Sequence, residues 1–215
     1  MNIILDTSEQ EHLDKMIVVA ISGASGPIMG IRLIEELLNS KERVAAIVSQ
    51  PAGQIIEYEM LFGKEPFSSL KALLEKRDIA KNIDLLSEYK NNDFFAPMAS
   101  GSAEFEAIVV IPCSMKTLSA IVHGYADSLM NRACDVALKE KRRCIIVPRE
   151  TPLSVIHTEN LHKAALAGIE IVPPVPGFYT RPESLDDVID FVVGKVLNLL
   201  GRKHNLFESW GKNKI

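Results

Sequence analysis

Pro148-Arg149-Glu150-Thr151-Pro152 sets a cation beside a carboxylate directly after the apolar run Cys144-Ile145-Ile146-Val147. A guanidinium fork suits phosphate, a neighbouring carboxyl group can move a proton, and the two prolines keep the backbone stiff. Alone, such a pair is an ordinary surface ion pair. Three further apolar runs also end in small polar residues. One (residues 16–21) leads into Ser22-Gly23-Ala24-Ser25-Gly26, and a second (43–48) ends at Ser49-Gln50-Pro51. A third (107–111) reaches Pro112-Cys113-Ser114. Four polar strand ends in one chain point to a shared ligand crevice.

The Gly23-Ala24-Ser25-Gly26 turn joins a strand to a helix, so its N–H groups and the helix dipole favour an anion. It is not a dinucleotide fingerprint. Ser25 and Ile28 stand where glycines would be needed, and Ser49-Gln50 replaces the ribose-binding acid. Ser25 and Ser49 add hydroxyls, and Ser114 is a helix N-cap and a candidate phosphate donor. Cys113 has no base beside it and reads as core packing. The loop 91–102 carries Phe94, Phe95, Ser100 and Ser102, which could cover a ring and meet an oxyanion. Lys139, Arg142 and Arg143 form a cluster of the kind usual at solvated helix ends. Tyr179 follows the last strand. Lys195 interrupts an apolar helical face, which calls for an anionic partner or for snorkelling to the surface. The histidines lack metal-ligand spacing.

Behind these residues, strands alternate with helices. Strands are expected at 16–21, 43–48, 107–111, 144–147 and 169–172, with helices at 28–38, 116–123, 127–139, 157–167 and 184–200. Residues 52–90 read as helical, with a turn near Gly63-Lys64-Glu65-Pro66. Continuous apolar strands alternating with helices predict one doubly wound parallel sheet, a three-layer α/β domain of the Rossmann-like or flavodoxin-like kind. It should occupy 16–200, after a polar leader (1–15) and before a tail (201–215) too short to reach far back within one domain. A net charge of -4 argues against a nucleic-acid binder. Three cysteines without zinc spacing suggest buried thiols in a reducing cytoplasm. No apolar run reaches membrane-spanning length, and the opening residues lack a secretory signal.

The motifs occur together in a known order. Ser22-Gly23-Ala24-Ser25-Gly26, Ala99-Ser100-Gly101-Ser102, Pro112-Cys113-Ser114, the helix 132–140, Val147-Pro148-Arg149-Glu150-Thr151-Pro152 and Pro173-Pro174-Val175-Pro176-Gly177-Phe178-Tyr179 resemble the UbiX family of flavin prenyltransferases, from Met16 to Trp210. The resemblance implies a metal-independent transferase. It would join the dimethylallyl group of dimethylallyl phosphate to N5 and then C6 of reduced FMN, for use by a UbiD-type decarboxylase. It also implies a homo-oligomer, commonly a dodecamer, with sites at subunit interfaces.

By the same resemblance, FMN falls to Gly23, Ala24, Ser25, Ser49, Arg149 and the run Ser114, Met115, Lys116, Thr117. The prenyl phosphate falls to Ser100, Lys139, Arg149, Glu150, Tyr179 and Lys195. Trp210 matches an aromatic near the prenyl group, and Glu59 a carboxylate near the reacting ring; Glu150, Ser25 and Glu59 are the catalytic candidates. The chemistry agrees: a departing phosphate needs cations, an allylic cation needs π faces such as Trp210 and Phe94, and a carboxyl group must shuttle protons. Gln50-Pro51 and Ser128 depart from the family's usual Lys and Asn. One alternative is an FMN-dependent cysteine-type decarboxylase, but Ser49 to Met60 holds no histidine, and residues 97–102 do not spell the Pro-Ala-Ser-Ala-Asn-Thr run such enzymes carry. Another is a non-catalytic flavin carrier, which would not need Glu150, Lys139, Tyr179 and Lys195 together.

Overall fold

The structure, a computed structural model, describes residues 16–208 and Trp210. The expected leader (1–15) lies outside them. Six strands run in chain order: β1 (Met16–Ile21), β2 (Val44–Val48), β3 (Leu86–Lys90), β4 (Phe105–Cys113), β5 (Arg143–Pro148) and β6 (Glu170–Ile171). They form one sheet of order β3-β2-β1-β4-β5-β6, and every pairing is parallel. The helices are α1 (Pro27–Asn39), α2 (Gln50–Glu59), α3 (Leu70–Arg77), α4 (Met115–Val122), α5 (Leu129–Lys139), α6 (Val155–Leu166) and α7 (Leu185–Leu199).

Alternation along each strand divides the core in two. Ile17, Val19 and Ile21 face one side with α1, α3 and α7. Val18 and Ala20 face the other with α4, α5 and α6. Burial on both faces is why the inner strands read as unbroken apolar runs. The doubly wound, three-layer expectation holds. The strand order reverses between β1 and β4, and such a switch point opens a crevice at the carboxyl ends of the strands.

One expectation fails. Residues 52–90 are not helical throughout, because Leu86–Lys90 forms the edge strand β3 beside β2. Only Leu86 in it is buried, while Ser87, Glu88 and Lys90 are exposed. A half-solvated edge strand lacks the apolar run that marks the inner ones.

Candidate active site

At the switch point, Ser22 ties two strand ends together. Its Oγ donates to the Pro112 carbonyl at 2.8 Å and accepts from the Ser114 N–H at 2.7 Å. This serine is 1% exposed, and the sequence reading gave it no role. Ser49 and Ser114 cap α2 and α4, accepting from Ala52 N and Thr117 N, each at 3.2 Å. An N-cap hydroxyl that accepts from a helix N–H still has its own proton to donate. These strand ends therefore offer donors.

They border a cleft of about 650 Å³, ample for a cofactor-sized ligand. Gly23, Ser49, Ser114, Lys116 and Thr117, all among the residues the resemblance assigns to FMN, line it. Ala24, Ser25 and Met115 belong to the same turns without lining it. Lys90, Asn91, Ser128 and Asn131 line it too, and sequence reasoning had assigned none of them a ligand role. Asn91 caps α5, its backbone oxygen accepting from Leu129 N at 2.8 Å and its Oδ1 from Met130 N at 3.0 Å. Ser128 caps the same helix through Asn131 N at 3.4 Å. The available signal was the N-cap pattern before Leu129.

The β1–α1 turn is occupied differently from expectation. Gly26 sits at φ 88, a left-handed conformation that glycine adopts without strain, and its N–H donates to Glu59 Oε2 at 2.9 Å. A carboxylate of the chain itself thus takes the N–H of the residue that precedes α1, and Glu59 is brought beside the Ser25-Gly26 turn.

Arg149 is half-buried beyond β5, its backbone N–H bonded to the Cys113 carbonyl at 3.0 Å. Glu150 is exposed and accepts from Thr151 N at 3.0 Å. Among the described residues the two form no ion pair, which removes the surface-pair explanation. Cys113, Cys134 and Cys144 are all free and buried. Burial pushes the Cys113 thiol far up, and the Cys144 side chain together with burial does the same for Cys134. Neither is a nucleophile.

A second cluster is aromatic. Tyr179, in the turn after β6, makes edge-to-face contacts with Phe191 (5.8 Å) and Trp210 (5.2 Å). The tail therefore does reach back, contrary to expectation. Gly194 permits this, since a Cβ there would lie 2.5 Å from Phe207 and 2.7 Å from His204. Lys195 finds aromatic faces in place of an anionic partner, its ammonium 5.7 Å from the Phe191 ring and 5.8 Å from Phe207. Phe94 is about half exposed and Phe95 fully exposed.

Ser100 and Lys139 lie elsewhere. Lys139 ends α5, whose 11 residues carry it about 15 Å from the cleft-side end at Leu129. Its ammonium meets Glu140 at 3.3 Å and borders Gly101. Arg132 Nε and Arg142 Nη2 donate to Ala99 O (3.0 Å) and Gly101 O (2.8 Å), fixing the turn that carries Ser100. Arg142 also stacks on Phe105 at 4.4 Å, and Arg143 pairs with Glu170 at 3.2 Å, so this cluster is more than a solvated helix end. Ser100 and Lys139 thus sit at the amino edge of the sheet, whereas Ser114, Arg149, Glu150 and Tyr179 sit at its carboxyl edge. One chain does not unite them.

A cleft of capped hydroxyls, lysines and amides at a switch point fits the phosphate and ribityl oxygens of a flavin mononucleotide. The family model described as Flavoprotein matches residues 5–197. The flavin prenyltransferase UbiX of Methanocaldococcus jannaschii is 45% identical over 91% of this chain and 98% of its own length. AnUbiX, solved with FMN and dimethylallyl pyrophosphate, is 38% identical with a TM-score of 0.82, covering 93% of this chain and 99% of that one. A dodecameric FMN-dependent UbiX-like decarboxylase from Escherichia coli O157:H7 is 38% identical with a TM-score of 0.76, over 88% of this chain and 96% of that one. With this cleft and these relatives, the chain belongs to the UbiX family of flavin prenyltransferases.

Proposed function

We propose that the protein transfers the dimethylallyl group of dimethylallyl phosphate to N5 and C6 of reduced FMN. The carrying observation is the donor-rich cleft at the β1/β4 switch point, with Arg149 and Glu150 at its edge of the sheet and not paired to each other. The enzyme is a transferase and FMN is its flavin. Reduced flavin supplies the electron-rich nitrogen and carbon that accept the prenyl group.

The chain's own residues do the rest. Ser49 and Ser114 donate to the flavin, as does the 114–117 turn with Met115, Lys116 and Thr117. Gly23, Ala24 and Ser25 shape the wall beside it. Arg149 and Lys195 hold the departing phosphate, joined by Lys139 and Ser100. Tyr179 and Trp210 wall the prenyl chain with π faces, which favour positive charge developing on carbon. Glu150, exposed and held only by Thr151 N, is free to give and take a proton, and Glu59 holds the Ser25 turn in place.

Because Ser100 and Lys139 lie at the opposite sheet edge, the proposed site needs a second copy of the chain to supply them. Exposed Phe95, Phe178, Leu185 and Val155 suit interfaces in such an assembly, a dodecamer on this reading. A UbiD-type decarboxylase is the proposed recipient of the product, and a reducing cytoplasm suits three free buried thiols. No described helix is long and apolar enough to cross a membrane. Anaerobic incubation with reduced FMN and dimethylallyl phosphate, followed by mass spectrometry of the released flavin, tests the activity. Recovery of unmodified FMN only would reject it.

A further inference from the structure

The cleft extends past the flavin motif to Lys90, the last residue of β3, which pairs in register with Val48 of β2. We infer that Lys90 acts with Lys116 to clamp the phosphomonoester of the flavin, so that this chain selects FMN over riboflavin by charge. The inference rests on the flavin reading above and names the group that decides between flavins.

The balance of charge in the lining carries it. Lys90 and Lys116 are both exposed within the cleft, and neither has an ion-pair partner among the described residues. They stand against one lining carboxylate, Asp127, whose Oδ1 already accepts from Asn131 Nδ2 at 2.9 Å. Gln50 leaves the end of β2 without a cation, so β3 brings the only positive charge on that side of the lining. In the sheet order β3-β2-β1-β4, Lys90 ends the strand three spacings, roughly 14 Å, from β4, and Lys116 enters the helix that follows β4. Both lysines line the same cleft, so one anion bound there can meet both. Of the hydroxyls in the same lining, Ser49 accepts from Ala52 N and keeps its proton to donate, while Ser114 accepts from Thr117 N and shares a hydrogen bond with Thr117 Oγ1 at 3.0 Å, which leaves one proton of that hydroxyl pair to donate. Such a lining wants an acceptor-only ligand of charge near minus two, which a phosphomonoester is and the ribityl hydroxyl of riboflavin is not.

The test is a titration of full-length protein with FMN and with riboflavin, at low and high salt, for wild type, Lys90→Met, Lys90→Arg and the Lys90→Met/Lys116→Met pair. Losing one charge-assisted contact should weaken FMN binding about tenfold in Lys90→Met and further in the pair, with riboflavin affinity unchanged. Lys90→Arg should restore FMN binding, and the salt dependence should flatten as lysines are removed. A Lys90→Met protein that binds FMN like wild type, or that loses both flavins by the same factor, overturns the clamp and leaves the flavin reading standing. Wild-type protein that binds neither flavin overturns both.

Discussion

Charged residues are used in opposite ways at the two regions of this molecule. Around α1, α3 and the amino edge of the sheet, they close on one another. The fully buried Glu35 carboxylate takes Arg77 Nε at 2.6 Å, and Arg32 bridges Glu36 and Asp190. Arg202, from the tail, clasps Glu42 and Glu106, each at 2.6 Å. At the carboxyl edge, Lys90, Lys116 and Arg149 have no ion-pair partner among the described residues. Charges satisfied internally hold the fold, and those left open at the carboxyl edge are available to a ligand. The same residue types serve both purposes, so pairing, not composition, separates them.

The contrast breaks most sharply at Glu150. Glu150→Gln should slow prenyl transfer by about a hundredfold to ten-thousandfold, while flavin binding and melting temperature stay as in wild type. Single-turnover flavin spectroscopy with varied prenyl phosphate measures it. A wild-type rate would move the proton shuttle to Glu59 or to the substrate phosphate.

Arg202→Met should do the reverse. It strands the buried Glu42 carboxylate and should destabilise by about 3 kcal/mol. Flavin affinity per folded molecule should not change. Urea unfolding alongside an FMN titration tests both halves, and a loss of affinity without a loss of stability would contradict the division.

Lys195→Met should have a smaller effect. Two aromatic faces hold the ammonium, and at an exposed site such contacts contribute about 0.5–1 kcal/mol. The KM for dimethylallyl phosphate should rise about tenfold with kcat little altered. Steady-state kinetics giving a lower kcat at unchanged KM would remove Lys195 from the phosphate site.

The smallest effect concerns pH. Burial holds His204 below its ordinary value of 6.5, opposed by the Gly194 backbone and by Glu36 and Asp190. The unfolded or detached tail therefore binds the proton more readily. Its docking is intact above pH 6.5 and weakens as pH falls through the lowered folded value. Fluorescence of the single Trp210 should report this, and a His204→Phe variant should abolish the transition. A transition that persists in the variant would place the titrating group elsewhere.

The inner strands were legible because residues such as Ile17-Val18-Val19 are buried on both faces and admit no polar break. Strand β3 was not, since Glu88 and Lys90 at a solvated edge mimic a helix with charged spacers. The Gly-rich β1–α1 turn and the N-cap serines were also legible. Asn91, Asn131 and Lys90 were not, because only the meeting of β3 with α5 makes them neighbours of Ser49. The division between sheet edges was available in the chain direction: Ser100 and Lys139 precede strands, whereas Ser114 and Arg149 follow them. The reach of the tail depended on Gly194, whose missing side chain leaves no mark in an apolar helical pattern.

Placing Ser100 and Lys139 at one end of the fold and Glu150 at the other has a genetic consequence. On the proposed assignment, two dead proteins need not make a dead mixture. Subunits carrying Lys139→Ala and subunits carrying Glu150→Gln are each inactive alone. When the two are co-assembled, some interfaces receive an intact half from either parent. Such alleles would rescue one another in trans, and a single defective allele would poison the sites of its wild-type neighbours.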